Sequence, residues 1–309
     1  MGYEQDNIWH EIQEFLPMEN RLSEENMPRE YFLDIGRFRV HIDHYEVYEP
    51  KATVILFHGA GGNGRLMSFI ALPFVKAGFE VLSPDMPLYG HTEYSGIVTY
   101  DDWLDCGKAI IERCRESGNK IFLLGLSIGG MFAYQMAGEC DDISGIMVTC
   151  LIDQSDMEVL QATAKNPILA RAGRPLMKIL HKPFANLKLP LEWLSKMEKI
   201  TNEPVLMYWI LKDKTAAGVR APLSFIHSMT EPKIKILPEN FERCPLLLVH
   251  PEKDAWTDIS LSKKFYERLA CEKEIRLLEG AGHLPIEPLG LKQMEQACIE
   301  FMNRICMEK

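Results

Sequence analysis

Short uninterrupted apolar runs recur along the chain, each bounded by polar residues. Ala52 to Phe57 (ATVILF), Ile121 to Leu124 (IFLL) and Pro245 to Val249 (PLLLV) are of this kind, and Ile143 to Thr149 (ISGIMVT) reads as a further apolar strand. A strand covered on both faces needs that pattern, because neither side of its pleat meets water. Phe79 to Ser83 and Glu274 to Leu278 predict two further strands. Between these runs the apolar spacing becomes helical, over Leu66–Lys76, from Thr99 or Asp101 to about Arg115, after Ser127, over Ile259–Leu269 and over Leu291–Cys306. Strands alternating with helices predict an α/β protein with a mostly parallel central sheet, whose ligands gather at the strands' carboxyl ends. Upstream, Tyr31–Ile35 and Phe38–Tyr48 read as two strands joined at Gly36. In the N-terminal extension 1–30, Ile8, Trp9, Ile12, Phe15 and Leu16 form the apolar stripe of a short helix, expected to pack on the domain.

The alternation breaks after residue 150. Residues 151–243 carry no comparable buried run, hold eight of the 18 prolines, and draw their apolar content from Met, Leu and Trp. This predicts an inserted helical cap, with residues 31–150 and 244–309 forming the α/β core. Charge separates the same segment: 14 basic against 10 acidic residues within it, a balance of +4, where the rest of the chain carries −14. The overall net charge of −10 argues against a general binder of nucleic acid or of anionic membranes. The eight cysteines are scattered without a CxxC pair, as expected of buried free thiols in a reducing compartment. The first residues are acidic where a signal peptide needs positive charge, and the Met1-Gly2 start lacks Ser or Thr at position 6, so neither secretion nor myristoylation is expected. No run reaches the length of a membrane span. The expectation is a cytoplasmic protein, with a homo-oligomer left open.

If ligands meet strand ends, the informative polar residues are those just after strands. Ile121–Leu124 is followed by Gly125-Leu126-Ser127-Ile128-Gly129 and then a helical pattern. Strand, GxSxG and helix in that order form the context of a nucleophile elbow, in which a sharp turn brings the two glycines together and presents the serine hydroxyl above a helix N-terminus. Pro245–Val249 is followed by HPEKDAWTD, offering Asp254 and Asp258, and Glu274–Leu278 by Glu279-Gly280-Ala281-Gly282-His283. A serine hydroxyl is a poor nucleophile at neutral pH, and an imidazole oriented by a carboxylate supplies the proton transfer it needs. Ala52–Phe57 ends in His58-Gly59-Ala60-Gly61-Gly62-Asn63-Gly64, which lacks the Lys-Ser/Thr of a phosphate-binding loop and suits a backbone N–H turned toward a developing oxyanion. His41 and His44 fall on opposite faces of one strand and make a poor metal pair. His58 and His250 read as loop supports, and His91 as a contact either of its loop or of the substrate.

These residues resemble the α/β-hydrolases of the monoglyceride lipase, lysophospholipase and serine aminopeptidase group. The likeness runs from about Thr53 to Arg304 through HGAGG, DMPLYGHT, GLSIGG, PLLLVHPEKD and EGAGH. It implies the α/β-hydrolase fold, Ser127 as nucleophile, His283 as general base, Asp254 as the acid orienting it, and the backbone N–H groups of Ala60 and Ile128 as the oxyanion hole. Two departures stand out: Pro251 where family members usually carry Gly, and Pro87-Leu88-Tyr89-Gly90-His91-Thr92 in place of an Arg-Gly-His-Gly-Ser-type loop. The resemblance implies a serine esterase, a carboxylesterase or monoacyl-lipid lipase, acting on a small ester with one acyl chain and needing neither metal nor cofactor. Peptide or amide cleavage, thioester hydrolysis or acyl transfer, and a non-catalytic binding protein on the same fold are the rival readings.

Overall fold

The computed structural model describes Tyr3 and residues 6–307. Met1 and Gly2, on which the myristoylation expectation rests, lie outside the described residues. The strands are β1 (Arg29–Ile35), β2 (Phe38–Tyr45), β3 (Thr53–Phe57), β4 (Glu80–Pro84), β5 (Glu93–Tyr94), β6 (Ile121–Gly125), β7 (Ile143–Val148), β8 (Lys188–Pro190), β9 (Arg220–Pro222), β10 (Leu246–Pro251) and β11 (Lys273–Leu278). The main sheet runs β1-β2-β4-β3-β6-β7-β10-β11, with β5 paired to β2. β1 and β2 are antiparallel, as are β2 and β4, and from β4 to β11 every neighbour is parallel. The expected α/β architecture is thus present, with an antiparallel corner at one edge.

The uninterrupted apolar runs occupy the middle of this sheet: every residue of β3, β6 and β10 is buried. β3 and β6 lie side by side with Phe57 opposite Gly125, so the loop after β3 sits against the turn after β6. β7 and β10 are also neighbours, with Val148 opposite Leu248, which brings the loops after β6, β7 and β10 to one end of the sheet. Helix Tyr100–Arg115 begins where a capping box forms, the Asp102 carboxylate accepting the Thr99 N–H at 2.7 Å.

Between β7 and β10, residues 151–243 fold mainly into short helices. Two three-residue strands, β8 and β9, pair there as well; strands this short leave no alternation to read. Leu191, Met197, Ile200, Leu206, Ile210 and Phe225 of this segment join the core. Helix Pro167–Leu180, by contrast, has no fully buried residue, and Ile168 and Ile179 are 80% and 71% exposed. The N-terminal helix, Asn7–Gln13, starts at Asp6, whose carboxylate accepts the N–H of Ile8 at 2.8 Å. It buries Trp9 and Ile12 and packs on helix Pro204–Lys212.

A buried polar cluster ties this N-terminal region to the sheet. Arg65 donates to Asp43 at 2.6 Å and to Glu30 at 2.8 Å. His41 sits 2.9 Å from Glu30 and 2.9 Å from Asp85, and the Tyr3 hydroxyl donates to Asp85 at 3.0 Å. Burial alone would favour neutral His41, but Asp85 and Glu30 outweigh it and hold the imidazole up at about 10. All eight cysteines are unpaired. Among the described residues, no helix is long and apolar enough to cross a membrane.

Candidate active site

The site begins with the turn after β6. Ser127 has φ 58° and ψ −126°, a strained conformation for a residue with a side chain, costing of the order of 1–3 kcal/mol. The neighbouring glycines make the turn possible: a Cβ on Gly125 would lie 2.0 Å from the Gly129 carbonyl oxygen, and one on Gly129 would lie 2.3 Å from that of Phe57. The turn is pinned by the Leu126 N–H donating to Phe57 O at 3.0 Å and the Ser127 N–H donating to Thr149 Oγ1 at 2.9 Å. Helix Ile128–Glu139 follows immediately.

Ser127 Oγ lies 2.9 Å from His283 Nε2, and His283 Nδ1 lies 2.8 Å from Asp254 Oδ2. Nδ1 therefore donates to the carboxylate, which leaves Nε2 to accept the serine proton. Ser127, His283 and the Asp254 side chain are all nearly inaccessible to water. Burial acts to raise the Asp254 carboxyl, but the His283 hydrogen bond, with the Thr257 N–H and hydroxyl, holds it below its ordinary value. Asp258, the competing acid, starts helix Ile259–Tyr266 and accepts the Ser260 N–H at 2.9 Å. The structure thus brings together Ser127, Asp254 and His283 and leaves Asp258 at a helix cap.

The loop after β3 closes the other side. A Cβ on Gly59 would meet the Ser127 Cβ at 2.8 Å, so this loop abuts the serine. Ala60 and Ile128 line the same cavity as Ser127, and as first residue of its helix Ile128 has an N–H without an intrahelical partner. His58 is fixed inside the loop: Nδ1 donates to Gly59 O at 2.9 Å and Nε2 accepts the Met86 N–H at 3.0 Å. Its burial depresses its basicity, and burial does the same to His250, whose Nδ1 donates to Thr149 O at 3.1 Å. Both support loops. His91 stacks edge-on with Tyr3 at 4.3 Å, away from the cavity lining, which makes it a loop contact.

The cavity over Ser127 measures about 400 Å³, a size suited to a small-molecule ligand (about 300–1,000 Å³). Leu169, Leu176, Met177, Leu180, Leu187 and Trp193 from the 151–243 segment form much of its wall, with Trp256 and Tyr89 from the core. Gln154, Thr163, Asn166, Arg174, Ser195 and Thr230 are polar side chains along it, and none of the lining residues is Asp or Glu.

The sheet order and the serine turn can be set beside known proteins. A family profile described as serine aminopeptidase, S33, matches residues 48–287. The chain belongs to this hydrolase family. Its fold is that of the α/β-hydrolases. It is 32% identical over 95 residues to a thermostable monoacylglycerol lipase of a Bacillus species (strain H-257), a match spanning 30% of this chain and 38% of that lipase. It is 24% identical over 240 residues to the phospholipase YtpA of Bacillus subtilis, across 76% of this chain and 88% of that protein. A soluble variant of the monoglyceride lipase from Saccharomyces cerevisiae superposes with a TM-score of 0.77 at 16% identity, over 91% of this chain and 97% of that one. The monoacylglycerol lipase of Paleococcus ferrophilus superposes with a TM-score of 0.67 at 23% identity, over 86% and 99%. Both superpositions speak to the fold.

In this S33-family chain several side chains around the triple contact have no signature in the sequence. Thr149 holds the Ser127 backbone, and Trp256 packs at a 45° tilt against His283 with ring centres 4.8 Å apart while its Nε1 donates to Thr163 O at 3.1 Å. Thr257 donates its hydroxyl to Asp254 Oδ2 at 2.7 Å. Position three after a candidate acid was the one available signal for Thr257, and its residue type alone carries no chemistry.

Proposed function

We propose that this protein is a serine hydrolase cleaving carboxylic esters that carry one acyl chain, of the monoacylglycerol lipase or lysophospholipase type. The observation that carries the reading is the line from Ser127 through His283 to Asp254 at 2.9 and 2.8 Å, opening onto an apolar-walled cavity. Ser127 Oγ attacks the acyl carbon as His283 Nε2 takes its proton, and the N–H groups of Ala60 and Ile128 donate hydrogen bonds to the developing oxyanion. Asp254 stabilises the imidazolium formed in that step. His283 returns the proton to the leaving alcohol oxygen, and water then attacks the acyl-enzyme by the same proton relay. Segment 151–243 acts as the cap, holding the acyl chain against Leu176, Met177 and Leu180. The unpaired cysteines support a cytoplasmic setting, and the reaction as drawn uses neither metal nor cofactor.

The similarity to a monoacylglycerol lipase and a phospholipase supports this substrate class. So does the outer face of the cap. Residues 165–188 hold six basic residues and no acidic one, beside exposed Ile168, Ile179, Phe184 and Trp193. Such a surface suits a substrate taken from a lipid aggregate. The family's description favours an aminopeptidase as the second reading. Capture of a free α-ammonium group calls for a carboxylate near the serine, and the cavity lining offers none. The test is kcat/KM for esters of two to twelve acyl carbons, each below its aggregation limit, beside aminoacyl amides. Each buried methylene contributes about 0.8 kcal/mol, or roughly fourfold if fully realised. A profile that falls steadily beyond two carbons sinks the acyl-pocket reading, and amides outrunning every ester establish the peptidase.

A further inference from the structure

Resting on that reading of the site, we infer that Thr257 is a positioning residue, whose hydroxyl sets how strongly Asp254 engages His283. The four hydrogen bonds at Asp254 divide unevenly. Oδ1 accepts two backbone N–H groups, from Trp256 at 2.8 Å and Thr257 at 2.7 Å. Oδ2 accepts His283 Nδ1–H at 2.8 Å and the Thr257 hydroxyl at 2.7 Å. The backbone pair fixes one oxygen, so the carboxylate's remaining freedom is its twist, which moves Oδ2. Thr257 removes that freedom from a second direction. It is fully buried, its Oγ1 also lies 3.3 Å from His283 Nδ1, and it lies outside the cavity lining, so it acts through Asp254 and His283 and not on substrate.

The hydroxyl also shares the charge that faces the imidazole. A carboxylate oxygen already accepting an O–H has less negative charge to offer a second donor, so Thr257 moderates the attraction between Asp254 and a protonated His283. Too strong an attraction would keep the proton on the ring and idle the base at mildly acidic pH. Two other titratable groups pack against this trio. Burial depresses His250, on β10, and raises the Cys150 thiol, just past β7, to about 12. That thiol reaches Thr257, Thr149 and Ser127, so it packs behind the relay without charging it. On the loop of His283 itself, Glu287 is engaged by the Gly282 N–H at 2.9 Å. The balance at Oδ2 is therefore set by Asp254 and Thr257.

The test compares Thr257→Val, which keeps the side-chain shape, with Thr257→Ser, which keeps the hydroxyl. For Thr257→Val the plateau kcat should fall about tenfold, near the lower limit for losing one hydrogen bond to a charged group. KM should stay within about twofold, because no wall of the cavity changes. The acidic limb of the rate profile should move up by roughly half a pH unit, and Thr257→Ser should restore both quantities. The His283 Nδ1–H proton resonance, followed by NMR in the same variants, should shift downfield in Thr257→Val as the Asp254 bond strengthens. That readout needs no turnover, so a wild type inactive on every ester would defeat the functional reading and leave this inference to be judged by the resonance. An unmoved limb and resonance in Thr257→Val would overturn the inference. So would equal losses in the Val and Ser variants, which would mark Thr257 as packing alone.

Discussion

Replacing Asp254 by Asn tests the proton relay at the atom where the structure makes a specific demand. Two backbone N–H groups point at Oδ1, and an amide nitrogen cannot accept them. The Asn oxygen must occupy that position, which places its NH₂ where Oδ2 now stands. The NH₂ then faces His283 Nδ1–H donor against donor, while the Thr257 hydroxyl can turn to accept from it. The imidazole resolves the conflict by changing tautomer: Nδ1 becomes the acceptor and Nε2 carries the proton toward Ser127 Oγ. A protonated Nε2 cannot take the serine proton. In the serine-protease template the equivalent change lowers kcat by about 10⁴, which is about 5.4 kcal/mol of lost transition-state stabilisation. A loss of that order is expected here in kcat for a soluble ester, with the same loss in the rate of fluorophosphonate labelling. Asp258→Asn keeps a side-chain oxygen able to cap the Ser260 N–H and should cost less than about tenfold, because Asn and Asp serve equally well as helix caps. Activity above a tenth of wild type in Asp254→Asn would refute the reasoning, and a larger loss in Asp258→Asn would transfer the role.

Two further outcomes concern stability. Gly125→Ala places a methyl carbon 2.0 Å from the Gly129 carbonyl oxygen and should cost more than about 4 kcal/mol in urea unfolding. Gly173→Ala, in an exposed helix with nothing within 4 Å, should change stability by at most about 1 kcal/mol, toward greater stability; similar losses in both would discredit the elbow argument. His41 is held at about 10 in the folded state against an ordinary 6.5. Its stabilisation is therefore complete below about 6.5 and fades as pH rises toward 10. Unfolding free energies at pH 7, 8 and 9 should fall for the wild type and fall less steeply for His41→Gln, and parallel slopes would contradict the assignment.

The parts of the fold that were legible are those written in local pattern. Buried strands announce themselves as apolar runs, and β3, β6 and β10 lie where the runs do. Ser127 was legible because the steric demand of the turn forces glycines at fixed offsets. His283 was legible because parallel strands deliver their following loops to one end of the sheet, and the same argument offered Asp254 and Asp258 together, the family resemblance choosing Asp254. What stayed hidden depends on contacts between distant segments. Nothing near Tyr3 or Asp85 in sequence says that they meet, since the hydrogen bond joins residues 82 apart. Thr257 is ordinary until Asp254 and His283 are both in place around it. The pairing of β8 with β9 joins pieces too short to carry a period. Local charge was legible as well: the +4 balance of 151–243 is concentrated in 165–188, which holds six basic residues and no acidic one, and an electrostatic surface is read locally, within about a Debye length.

The central claim, that Ser127 is the nucleophile activated by His283, is tested most directly by covalent labelling. The full chain and Ser127→Ala are treated with a fluorophosphonate, and the adduct is counted and located by intact and peptide mass spectrometry. Circular dichroism confirms that the variant is folded. The account predicts one label per chain, on Ser127, and none on Ser127→Ala. A full label persisting in the folded variant, or an adduct on any other residue of the wild type, would contradict it.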